Sequence, residues 1–276
     1  MIKDIFLSNR VKITCTYFLL LFEFVIFAIA PFLLGKAVDG LLEKDNGSFI
    51  TYLLLLLVAL FIGFFRRVYD TRVYSSIWGD RVKQTVKGLK QREVSQPKII
   101  SRYRLLYIYS DFFEYTIPNS LASFVEIIVA FFMIGFVVPI HIFFALFGLT
   151  FVSMLFYYIL SFRIQKVDFN IQHLKEKIDA EIIDKEAAVD VNIDDITQQY
   201  IKKSDLEAAG WGLNDVCCVI AEVIVVLTII AENQTTGTIM ATLTYVWKLF
   251  THTGCFSYYF NHKKQIEMAD EFLNKD

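Results

Sequence analysis

Six strongly apolar stretches run along the chain as three hairpins, and two charged intervals of near-equal size, residues 69–115 and 163–210, separate the hairpins. One helical crossing of a bilayer core takes about 20 apolar residues. Residues 13–34 and 48–68 meet that length around a short turn. The apolar run over 117–162 is too long for one crossing, and Pro139 supplies a point of reversal that divides it into 117–138 and 140–162. The last pair, 211–231 and 237–260, is separated by the polar segment that begins Glu232-Asn233-Gln234. The pattern predicts an all-α membrane protein: one unit over residues 1–276 with six transmembrane helices, long helical extensions and an exit helix over 261–276.

The extensions do not read as loose loops. No proline interrupts residues 49–96. A continuous helix of that length, at about 1.5 Å per residue, would reach roughly 70 Å, more than twice a hydrocarbon core of about 30 Å. Pro97 then ends it, and Lys98 to Ile108, with Arg102, Tyr103 and Arg104, reads as a short crossing element. In the second extension Ile171, Leu174, Ile178, Ile182 and Ile183 recur at helical spacing. A second turn is expected near Asp190–Gln198, beside Asp194 and Asp195.

Composition agrees with this layout. The chain is 55% hydrophobic with a mean hydropathy of +0.48, yet 20% of its residues are charged, so the charge belongs outside the bilayer. Of 27 Lys and Arg, eleven fall in 66–115 and seven in 163–210, which assigns both extensions and both termini to the cytoplasmic side, in a bacterial inner membrane. The net charge of −2 conceals a contrast, because 66–115 carries five acidic residues and 163–210 carries eleven. A basic stripe next to anionic lipid is ordinary for an inner-leaflet segment, and no nucleic-acid partner is expected. Cys15, Cys217, Cys218 and Cys255 show no metal-ligand spacing, and no cofactor is expected.

Candidate chemistry lies within the spans. Glu23, Glu126 and Glu222 fall near the middle of three of them, and Lys248 and His252 stand one turn apart in the sixth. A charge at mid-bilayer costs at least about 2.5–3.5 kcal/mol on insertion scales, so these side chains should face a cavity, a partner or one another. Two readings stand side by side. The groups line a translocation pathway and exchange protons, or they pair between helices, for instance Glu222 with Lys248.

Six spans with long extensions after the second and fourth, and a short crossing element at the end of each, resemble the transmembrane domain of ABC exporters. Pro31-Phe-Leu-Leu-Gly35-Lys-Ala-Val-Asp39-Gly40 resembles the end of that family's first helix. Thr236-Gly237-Thr238-Ile239-Met240-Ala241 is similar to the opening of its sixth, and Phe260 to Leu273, with Gln265, Ala269 and Glu271, to the exit helix that leads to an ATPase domain. The resemblance implies a homodimer or heterodimer with another six-span subunit, in which helices four and five are exchanged around a central cavity. It also implies a separate nucleotide-binding protein as partner, docked on Arg102, Tyr103, Arg104, Asp194 and Asp195. The sequence holds no Gly-x-x-x-x-Gly-Lys-Ser/Thr loop, so no ATPase activity is expected of the chain itself. The expected function is that of a permease subunit driven by a separately encoded ATPase. The alternatives are a proton-coupled transporter like the SbmA/BacA-type peptide-uptake proteins, which are similar in membrane fold, and a non-transporting accessory subunit.

Overall fold

In the computed structural model of the chain, residues 7–91, 106, 108–184 and 189–274 are described, without the side chains of 176, 179–184, 189–192 and 268–274. Among the described residues seven α-helices follow in order: α1 Arg10–Leu42, α2 Gly47–Gln91, α3 Ile117–Val137, α4 Ile140–Asp184, α5 Val189–Ala231, α6 Thr236–Thr253 and α7 Cys255–Asn274. A π-helical turn, Phe112–Thr116, leads into α3. No strand occurs among the described residues. Helices α1 to α6 fall on the six apolar stretches of the sequence, and α7 falls on the segment expected as the exit helix.

The expected turns form for local reasons. Proline disfavours the helical region for the residue before it. Val138 is accordingly extended, with φ −102° and ψ 151°, and the chain reverses between α3 and α4. The α1–α2 turn is closed by Lys44 in the left-handed region, φ 66°. Helix α2 and helix α4 have 45 residues each, about 68 Å at 1.5 Å per residue. Each therefore extends well past a bilayer core, as the absence of proline predicts.

One expected turn is not there. The chain does not reverse near Asp190–Gln198; α5 runs unbroken from Val189 to Ala231. Residues 189–209 contain neither glycine nor proline, so nothing in them interrupts the helical hydrogen bonds. The crossing element with Arg102, Tyr103 and Arg104 lies outside the described residues.

Among the described residues five helices are long and apolar enough to cross a membrane. The sixth span, α6, is the least apolar of the set, and its place in the bundle explains why. It packs against α1, α3, α4 and α5. Its neighbours, not lipid, cover most of its surface. Tyr245, Val246, Leu249 and Phe250 of α6 join Ile127, Ala130 and Ile134 of α3 and Ala221, Val225 and Ile229 of α5 in the main apolar cluster. Helix α2 is the opposite case: Leu54, Leu57, Leu60, Phe61, Phe64 and Phe65 are all exposed, as a lipid-facing helix requires.

Beyond the spans the extensions are tied to the exit helix. Asp168 of α4 accepts from Lys203 Nζ of α5 at 2.7 Å and from Gln265 Nε2 of α7 at 3.2 Å, so one carboxylate joins three helices. Tyr74, Tyr109, Phe112, Phe113 and Ile266 form a second apolar cluster between α2, the π turn and α7.

Candidate functional site

The centre of the bundle is built around a defect in α1. Pro31 has no N–H, so the carbonyl of Phe27 four residues earlier has no helical donor. Lys248 of α6 supplies one: its Nζ donates to Phe27 O at 2.8 Å, and to both carboxylate oxygens of Glu126 of α3 at 2.9 Å. One turn earlier on α6, the Tyr245 hydroxyl accepts from Phe32 N at 3.2 Å. Two side chains of α6 thus repair the break in α1, and one of them is held by a carboxylate of α3. The ion pair is buried, with 18% of the Lys248 side chain and 8% of that of Glu126 exposed. Pairing offsets the desolvation that an isolated charge would suffer at this depth.

His252 lies one turn further along α6, and its Nδ1 is 2.9 Å from Ser123 Oγ of α3. Asn214 of α5 forms a second polar knot beside it. Asn214 Oδ1 accepts from Ser153 Oγ and Thr253 Oγ1, both at 2.7 Å, and its Nδ2 donates to Phe250 O at 3.2 Å. Helices α4, α5 and α6 meet there. Where the resemblance implies that helices four and five are exchanged with a partner, this single chain packs α4 and α5 on its own α6, and α4 on its own α7.

Two cavities flank α6. One of about 540 Å³ lies toward the short-loop end between α1, α3 and α6, lined by Phe32, Asp39, Met133, Phe136 and Tyr245 among others. Another of about 810 Å³ lies toward the extension end and is lined from α3, α4, α5, α6 and α7. Ser123, the partner of His252, is on its wall. Both volumes fall in the range of small-molecule sites, about 300–1,000 Å³.

The first cavity is closed at its short-loop end by a tight crossing of α1 and α6. A Cβ on Gly237 would overlap the carbonyl oxygen of Gly35, so only glycine permits this approach. Asp39 then caps α6: its Oδ1 accepts from Gly237 N at 2.7 Å and its Oδ2 from Thr235 Oγ1 at 2.6 Å, while Thr235 Oγ1 accepts from Thr238 N at 3.2 Å. A carboxylate at a helix N-terminus is favoured by both hydrogen bonding and the helix dipole.

Of the five expected pathway residues, the structure brings Glu126 and Lys248 together and puts His252 one turn away. Glu23 is elsewhere. Its Oε2 accepts from Arg66 Nε of α2 at 2.5 Å, and Arg66 Nη1 donates to Asp70 Oδ2 at 2.6 Å, all buried between α1 and α2. Gly63 leaves the room that the Glu23 carboxylate occupies. Glu222 does not pair with Lys248: it lies half-buried on α5, with Cys218 Sγ 3.8 Å from its Oε1. The Lys248 ammonium is instead taken by Glu126 of α3. Asp194 and Asp195 are exposed on α5.

Two partners of the candidate residues are not among those expected from the sequence. Arg66 is one of the basic residues that begin the first extension, yet Gly63, Arg66 and Asp70 share one helical stripe, which faces Glu23. Pro31 carries a signal of its own, because a proline in the interior of a span leaves the carbonyl four residues earlier in need of a donor. No group of three or more His, Cys, Asp and Glu residues suited to a metal ion occurs among the described residues.

Comparison with known proteins agrees with this architecture. A family model described as ABC transporter transmembrane region matches residues 2–274. No curated protein matches the chain. With an all-helical fold among the described residues and a family match over nearly its whole length, the chain belongs to the family of ABC transporter transmembrane regions.

Proposed function

We propose that the chain is a permease subunit that moves a substrate across the bacterial inner membrane, with both termini cytoplasmic, as one half of a six-plus-six dimer. ATP hydrolysis is supplied by a separately encoded partner chain, which docks on the extensions, with Asp194 and Asp195 on its side of α5. The observation that carries this reading is the polar centre of α6 flanked by two cavities, in a chain whose family match spans residues 2–274. Rearranging the Lys248–Glu126–Phe27 junction would change how α1, α3 and α6 meet, and those helices wall both cavities or one of them.

Proton coupling is the weaker reading. Glu23 and Glu126 are engaged by Arg66 and Lys248, so neither is an unpaired carboxylate awaiting a proton. The test is to purify the chain from its native membrane with whatever co-purifies and to measure flux in proteoliposomes. The proposal expects an ATPase in the complex and flux that follows ATP. Flux that ignores ATP and collapses when the proton gradient is dissipated would overturn it.

A further inference from the structure

We propose that the 810 Å³ cavity is a binding site for an organic cation: an ammonium centre carried on an apolar or aromatic body. The charge on its wall has one sign. Glu207 and Asp215 line it, and no Lys, Arg or His does among the described residues. Asp215 has no hydrogen-bond or ion-pair partner among the described residues. Glu207 has only a distant one, since Lys203 Nζ stands 4.0 Å from it and 2.7 Å from Asp168.

The rest of the wall suits such a ligand. Trp211, Trp247, Tyr157 and Tyr258 line the same space. Aromatic faces attract cations through the ring quadrupole, and Trp does so best. The Tyr157 ring is seated against two glycines: a Cβ on Gly210 would come within 2.9 Å of it and one on Gly254 within 3.2 Å. Ser257 is 93% buried by its 7% exposure, lines the cavity, and its hydroxyl has no partner among the described residues, so a ligand group can take that hydrogen bond. A bare metal ion is a poorer occupant, because no three-ligand set of acidic or His and Cys side chains is present among the described residues. An anion would meet two carboxylates.

This inference deepens the permease reading by naming a class of cargo, but its test needs no transport. Two of the three tryptophans in the chain, Trp211 and Trp247, are on the cavity wall, so intrinsic fluorescence reports occupancy directly. The purified full-length protein in nanodiscs is titrated with benzyltrimethylammonium, and in parallel with phenylmethanesulfonate, a similar body of opposite charge. The proposal expects a saturable change with the ammonium and none with the sulfonate. Asp215→Asn, at an exposed and unpaired position, should weaken the ammonium about tenfold, and Glu207→Gln should weaken it less, with folding of both checked by circular dichroism. Trp78→Phe should leave the signal in place. Equal response to the sulfonate, no saturable response to the ammonium, or unchanged affinity in Asp215→Asn would each overturn the site. None of those results would touch the ATP dependence of flux, which tests the permease reading separately.

Discussion

Lys248→Met removes the donor that holds α1, α3 and α6 together while keeping an unbranched apolar side chain of similar length. In the parent protein both oxygens of the Glu126 carboxylate accept from that ammonium, as does Phe27 O. Breaking a buried ion pair by removing one partner costs about 3–5 kcal/mol, and a buried carbonyl left without a donor costs about 1–3 kcal/mol. The two losses share one ammonium and will not add fully, so a total of about 4–6 kcal/mol is expected. Adding Glu126→Gln removes the stranded charge but not the stranded carbonyl. The double variant should therefore recover to within about 1–3 kcal/mol of the parent. Reversible unfolding in mixed micelles of the parent, both single variants and the double variant gives the complete cycle. If Lys248→Met unfolds within about 1 kcal/mol of the parent, or if Glu126→Gln fails to rescue it, the ammonium is not what repairs the break at Pro31.

Other sites give independent checks. Gly237→Ala sets a methyl group into the Gly35 carbonyl, where backbone cannot yield cheaply, and should cost at least about 1–3 kcal/mol and lower the midpoint of thermal unfolding. Arg66→Met strands Glu23 and Asp70 together and should cost about 3–5 kcal/mol in the same assay, whereas the exposed Arg67→Met should change little. Asp168→Ala unties α4, α5 and α7 at one point; faster amide exchange in α7 with α1 and α6 unaffected is the expected signature, and uniform exchange throughout would count against it.

Hydrophobic period and proline placement made the architecture legible: the α3–α4 reversal at Val138-Pro139 and the long α2 helix both follow from single-residue backbone rules. The straight course of α5 through Asp190–Gln198 departs from the analogy with the first extension, because no residue there breaks a helix. The candidate site was half legible. That intramembrane charges must be partnered follows from the cost of burying them, but which partner each takes depends on helix adjacency. Lys248 takes Glu126 because α3 lies beside α6 at that depth, and Arg66 takes Glu23 because α1 and α2 are an antiparallel pair. The large cavity is not legible in the sequence, since Tyr157 and Trp247 come from two other helices than Trp211 and Asp215, which alone stand one turn apart on α5.

The modest apolarity of α6 also bears on how the protein is made. A segment with Lys248 near its middle enters lipid unaided only at a penalty of a few kcal/mol. Its partners in the finished bundle, Glu126 and the freed carbonyl of Phe27, are synthesised more than a hundred residues earlier. Insertion of α6 is therefore eased when α1 and α3 are already in place, because the lysine then meets a waiting carboxylate and a carbonyl without a helical donor.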